Sequence, residues 1–229
     1  QTREPVAVNT TGVVAPMFPL GSVLLPHMLL PLNVFEPRYR VMFEELVGEL
    51  PRPDDQVTSD SEPRFGVALI ERGSEIGGGE VRSKVATLAT VLGAQLLEDG
   101  RWGVVALGGE RVRVDEWLED DPYPRARVRS WPDLDPPDAA AVLAGALPGL
   151  RSQHAVLMDL MAQSGVVVDE ADGPDWNTEP VKLIWQVALA SPLGSLDRYR
   201  LLCAPGATER VGLLAKLLEE QSDLLQGRL

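Results

Sequence analysis

Apolar residues follow two rhythms along this chain, and the change comes once, near residue 131. Before it the apolar runs are short. Residues 18–20 and 23–25 are bounded by proline and glycine, and Leu29, Leu30, Leu32, Val34 and Phe35 follow closely. Such runs predict strands, the wholly apolar ones buried on both faces. One helix interrupts them. It opens at Pro37, whose missing N–H suits a first turn, and Tyr39, Met42, Phe43, Leu46 and Val47 recur at helical spacing. Residues 52–64 are acidic and polar and predict a surface loop. Strands are expected at 65–70, 81–97 with a bulge at Gly93, 102–107, 111–117 and 123–131. A glycine-rich turn is expected at 73–79 and a type I′ hairpin turn at Asp99-Gly100. In 111–117 the alternation puts Val112 and Val114 on one face and Arg111, Arg113 and Asp115 on the other.

Beyond Pro132, Pro136 and Pro137 the period becomes helical. Asp138 is placed to cap a helix whose face holds Leu143, Leu147, Leu150, His154, Leu157 and Met161, with a kink or break at Pro148-Gly149. Thr178, Ser195 and Thr208 are expected to cap three more helices, the last turning Val211, Leu214, Leu218 and Leu225 inward. The class is therefore α+β. A flexible arm over residues 1–15 leads into a β-rich region over 16–131, a small barrel or folded sheet with one helix, and a helical bundle fills 138–229.

Composition narrows the partners. The 229 residues carry a net charge of −13. Residues 1–131 hold 20 acids and 14 bases, and residues 132–229 hold 14 and 7, so neither part is basic. Nucleic-acid affinity rests largely on Lys and Arg contacts to phosphate, so no DNA partner is expected. A local strip of Arg125, Arg127 and Arg129, alternating on one strand face, keeps an RNA-binding alternative open. Residues 5–35 are uncharged and long enough to span a bilayer, but Pro16, Pro19, Pro26 and Pro31 would break any helix there. No membrane association and a cytoplasmic location are expected. The single Cys203 fits a reducing compartment.

The search for chemistry returns no catalytic residue, metal ligand set or cofactor motif. His27 and His154 are the only histidines and lie far apart; His154 falls on an apolar helical face, where a core role is expected. Cys203 ends an apolar face without an evident base. The stretch from Gly77 to Lys84 lacks the second glycine of a phosphate loop, reverses its Lys-Ser order and places Glu80 where an anion would sit. The acidic pairs at Glu44-Glu45, Asp54-Asp55, Glu119-Asp120-Asp121 and Glu219-Glu220 read as solvated faces.

The residues Phe18-Pro19-Leu20-Gly21 and Pro31-Leu32-Asn33-Val34-Phe35-Glu36-Pro37-Arg38-Tyr39 resemble the opening of the Lon protease N-terminal, substrate-binding domain. Phe65-Gly66-Val67, Gly108-Gly109-Glu110-Arg111-Val112-Arg113-Val114 and Pro122-Tyr123 resemble its later strands, in the same order. The resemblance covers roughly residues 16–225 and is loosest over the helices. It implies a PUA-like six-stranded pseudo-barrel with one helix, followed by a C-terminal helical bundle. It also implies a role in recognising unfolded or tagged client proteins, alongside a protease or chaperone partner. The chain ends where the family's ATPase would begin, so a stand-alone, non-catalytic module is expected.

Site expectations follow. The turn Pro26, His27, Met28 and Leu29 is the candidate peptide contact, because exposed apolar residues mark partner surfaces. Phe35, Glu36, Pro37, Arg38 and Tyr39, with Arg111 and Arg113, are expected to build the fold. Glu36 would sit at the positive end of the helix, and Phe35 and Tyr39 would pack across its first turn. A small-molecule pocket inside the barrel is a further alternative. Client, oligomeric state and any bound ligand are left open.

Overall fold

A computed structural model describes residues 12–48, 62–72, 81–165 and 173–227. Residues 1–11 of the expected arm, most of the acidic loop 52–64 and all of the glycine-rich turn 73–79 lie outside these residues, and the arm's residues 13–15 belong to a strand, paired with residues 126–128. The chain forms two compact units. One holds the described residues up to Leu24 together with Leu29–Trp131, and the other holds Leu25–Met28 together with Pro132–Leu229.

The strand unit contains β1 (Val13–Leu20), β2 (Leu29–Val34), α1 (Pro37–Gly48), β3 (Arg64–Arg72), β4 (Val81–Leu96), β5 (Trp102–Trp117) and β6 (Arg125–Ser130). The sheet order is β2-β5-β4-β3-β1-β6, and β6 also pairs with β5. Five strands therefore close into a ring, and β2 lies outside the closure on the first half of β5. Only β1 and β3 run parallel. The ring is filled by Ala15, Met17, Ala68, Ala86, Leu88, Val112, Val114, Ala126 and Val128. A Cβ added at Gly66 would collide with the Met17 sulfur, so packing there is tight. This favours a filled core over a ligand chamber. A second, aromatic layer seats α1. Phe43 meets Phe65 edge-on at 5.3 Å, and Phe18 lies 4.2 Å from Tyr39 between ring centres.

Local departures from the expected elements have identifiable causes. Residues 23–25 form no strand. Instead Leu24 C=O accepts the Thr87 hydroxyl at 2.7 Å, satisfying in place of a ladder bond. The Asp99-Gly100 turn is not type I′, because only Gly100 has positive φ, at 78°. Gly100 N–H donates to Leu97 C=O and Leu97 N–H to Arg101 C=O, the pattern of a three-residue loop ending in a left-handed glycine. The segments 102–107 and 111–117 are one continuous strand, and the Gly93 bulge is present as a register shift between Val91 and Gly93.

The helical unit contains α2 (Ala139–Gln163), α3 (Pro180–Ala190), α4 (Ser195–Leu202) and α5 (Ala207–Gln226). Helix α2 runs unbroken through Pro148. Proline removes one bond to residue 144, and Ala144, Pro148 and Gly149 are all exposed, so water can satisfy the freed carbonyl. Glu179, not Thr178, caps α3; its carboxylate accepts the N–H groups of Lys182 (2.7 Å) and Val181 (3.2 Å). Pro180 explains the shift, because the residue before a proline is driven to extended backbone. Helix α5 is capped from outside itself. Asp135 Oδ1 accepts Thr208 N–H at 2.9 Å, and a Cβ on Gly206 would strike that carboxylate.

The charge that organises this unit was not visible in the periodicity. Arg210 is completely buried on the apolar face of α5. Its guanidinium makes two bonds to Asp133, of 2.6 and 3.0 Å, and lies 4.0 Å over the Trp185 ring. Its Nε donates to Leu201 C=O at 3.4 Å. One side chain thus ties the segment before α2 to α3, α4 and α5.

Two outcomes follow for the helical unit. Asp133→Ala, which leaves the buried guanidinium without its counter-ion, is expected to cost about 3–5 kcal/mol. The double change Arg210→Met with Asp133→Leu should regain most of it in urea titrations. Burial pushes His154, which faces the Trp176 ring at 5.9 Å, below its ordinary pKa of 6.5. The folded chain therefore binds fewer protons than the unfolded chain just below that pH, and stability falls as pH drops through it. His154→Leu should show a smaller loss of thermal midpoint between about pH 7 and pH 5 than the parent.

Candidate functional site

The expected peptide-contact turn is split by the structure. Leu25 C=O accepts Met28 N–H at 3.1 Å and His27 has φ of +66°, so Pro26 and His27 occupy the corners of a type II turn. Glycine is usual at the second corner; a histidine there is held in a sparsely populated conformation. Pro26 is buried, His27 exposed and Met28 half-buried, all in the helical unit. Partial desolvation and then the nearby Lys182 lower the pKa of His27, against an opposing pull from Glu179. Leu29 belongs to the strand unit and is 58% exposed.

The residues of the Glu36-Pro37-Arg38-Tyr39 motif are engaged with one another and their neighbours. Arg38 Nε donates to Glu36 at 3.2 Å, and its guanidinium lies 4.6 Å from the Tyr39 ring and 3.7 Å from Asp120. Asp120 in turn accepts two bonds from Arg82, whose guanidinium covers Trp117 at 4.8 Å. Phe35 does not stack on Tyr39. Tyr39 turns inward to Phe18, and Phe35 is 55% exposed. Arg111 and Arg113 lie 4.5 and 4.4 Å from the ring centre of Trp131, so two cations share one aromatic surface.

The alternating arginines of β6 do share a face, with Ala126 and Val128 pointing into the ring. Two of the three are paired. Arg127 pairs with Glu116 at 3.6 Å and Arg129 with Asp115 at 3.1 Å, both acids coming from the adjacent β5. An anion approaching this strip meets carboxylates as well as guanidiniums. No group of three or more His, Cys, Asp or Glu could hold a metal ion among the described residues. None of the described helices is long and apolar enough to cross a membrane.

Among the described residues, one face of the sheet where β2, β5 and β4 lie side by side is open and apolar. The register sets Leu29 against Leu107, and Pro31 against Val105, which faces Gly93. Leu92 is the extra residue of the bulge. Leu29, Leu92 and Val105 are 58%, 56% and 44% exposed, while the alternate residues Leu30, Val104 and Ala106 are buried. No residue of 29–34, 90–96 or 102–107 is charged. At its middle Gly93 leaves a gap, since an added Cβ there would meet nothing within 4 Å. The sequence signal for this surface was the absence of charge from three segments of a chain that is 24% charged. Their strand character hid it, because an apolar run reads equally as buried on both faces.

Comparison with known proteins places the whole chain. The model of the ATP-dependent protease La (LON) substrate-binding domain matches residues 14–220. Lon protease 2 of Herpetosiphon aurantiacus is 25% identical over 99% of this chain and 26% of its own length. Lon protease 2 of Sorangium cellulosum is 28% identical over 98% and 26%. The chain thus spans about a quarter of these curated relatives. Among solved structures, the Lon N-terminal domain protein of Xanthomonas campestris is similar with a TM-score of 0.56 and 22% identity, over 88% of this chain and 96% of that one. The N-terminal domain of the Mycobacterium avium complex Lon protease gives 0.59 and 17%, over 91% and 99%. Both share the α+β arrangement described above.

The gap at Gly93 gives a direct check on this surface. Gly93→Thr should fold and be as stable as the parent, or more stable by about 0.5–1 kcal/mol, because glycine weakens a strand interior. Thermal and urea unfolding measure this.

Proposed function

Since the chain belongs to the LON substrate-binding domain family, we propose that it recognises exposed apolar segments of client proteins through the uncharged face of β2, β5 and β4. The observation that carries this reading is the exposure of Leu29, Leu92 and Val105 within segments that contain no charge. Contiguous apolar surface on a soluble fold marks a partner site. Of the four turn residues, Leu29 makes the contact in this reading. Pro26, being buried, supports the turn. The family-like motif around Glu36 and the Arg111-Arg113-Trp131 stack act in building the fold, because Arg38 is paired with Glu36 and Asp120, and Arg111 and Arg113 pack on the Trp131 ring.

The expected affinity is modest. Covering three half-exposed aliphatic side chains contributes about 1 kcal/mol each, which must be set against the cost of association. Three such contacts alone hold a client weakly, which suits transient hold and release. A protease or chaperone that takes over the held segment is the partner this reading calls for, in a cytoplasmic setting. An RNA-binding role is not favoured, because Glu116 and Asp115 pair with two of the three arginines that would carry it.

A labelled polypeptide kept unfolded by reduction and alkylation, titrated against the full chain by anisotropy, tests the proposal. Gly93→Glu puts a charge into the middle of the face and should weaken binding at least tenfold while the melting temperature holds. Equal binding by Gly93→Glu and parent would refute the assignment of this face.

A further inference from the structure

The exposed face ends at an unfinished sheet edge. β2 pairs with β5 along Leu29–Val34 without a register shift, and among the described residues β5 is its only strand partner. Among the described residues no backbone hydrogen bond reaches the other side of β2. Proline fixes which groups point there. Pro31 has no N–H to give to β5, so it takes the outward register, and Leu29 and Asn33 share that direction by alternation. The outward edge therefore offers the N–H and C=O of Leu29 and Asn33 and the C=O of Pro31. Proteins usually blunt such edges with charges, prolines, bulges or very short strands. Here no charge and no bulge is present, and Pro31 alone interrupts the ladder.

We propose that β2 is an acceptor strand, whose free edge takes an extended, apolar, cation-flanked segment of a client polypeptide as an additional strand. The proposal rests on the client-binding reading above and specifies its mode. Main-chain hydrogen bonds would supply affinity with little regard to sequence, and alternate side chains of the incoming strand would lie beside Leu29 and Pro31. Charge selects the occupant. The chain is −13 overall. At the tip of the β4–β5 hairpin, beside the Val34 end of β2, Asp99 holds Arg101 at 2.6 Å and the Arg40 guanidinium against Gly100 offsets exposed Glu98, so the tip is balanced and the selecting charge is that of the whole chain. A second copy of this chain would bring another −13 to the same edge, whereas lysines or arginines flanking an apolar core would complement it.

The test uses the full chain and a synthetic peptide of alternating valine and threonine with two lysines at each end. Two further versions carry backbone N-methyl groups on the odd or on the even core residues. Strand addition predicts that one methylated version binds like the parent peptide and the other at least tenfold more weakly. It also predicts slowed hydrogen exchange at the Leu29 and Asn33 amides. A glutamate-flanked version should bind at least tenfold more weakly than the lysine-flanked one.

Equal binding by both methylated versions would overturn strand addition while leaving apolar docking on the face intact. So would binding of unfolded polypeptide without binding of any peptide. Equal binding of the glutamate-flanked version would overturn the choice of a cationic client. Dimerisation of the chain in sedimentation, reversed by the peptide, would make a second copy the occupant and overturn the proposal. Failure of both peptide and unfolded polypeptide to bind would remove the client-binding reading itself.

Discussion

The strand unit depends on one mismatch of length. β5 has 16 residues and β6 has 6, and β6 can close the ring only against the second half of β5. The first half must find another partner on that side, because unpaired backbone inside a sheet is costly. β2 fills the place and pairs with residues 102–107. Nothing in the sheet then covers β2 itself. Ring closure and the open edge are two results of the same register, and the apolar face follows because the three strands there lie side by side.

The helical unit solves a different problem. Its helices pack apolar faces together, and α5 carries an arginine where an aliphatic residue would complete the buried face. Arg210 can be buried because Asp133, the Leu201 carbonyl and the Trp185 ring are all within reach. A buried ion pair adds little net stability compared with apolar packing. The guanidinium is satisfied where α3, α4 and the Asp133 segment all meet α5. Asp135 works in the same region, holding the first turn of α5 by its Thr208 amide.

Much of this was legible in the chain. The alternation of Val112 and Val114, the bulge at Gly93 and the 39, 42, 43, 46 spacing of α1 each lie where period and turn chemistry put them, because these are local signals. What stayed hidden was tertiary. The capping of α5 by Asp135 spans 73 residues, and the pairing of Arg210 with Asp133 spans 77. Phe35 shows the same limit: its spacing from Tyr39 suggested a stack, but Phe18 supplied a better surface from another strand. The candidate face was legible only in part. Its residues could be identified as strand formers and as uncharged, but which side met water depended on where the ring closed.

The short segment Leu25–Met28 carries a consequence for inheritance. It is counted with the helices by its contacts, although the chain on both sides of it belongs to the strand unit. Leu25 is fully buried there. The covalent order of the chain and the grouping of its contacts therefore disagree, and no single cut separates one unit from the other. Shuffling of cassettes, in evolution or in the laboratory, would strip the helices of four residues that arrive more than a hundred positions early. A boundary drawn at Trp131 is a change of rhythm in the sequence, and the two parts on either side of it are heritable only together.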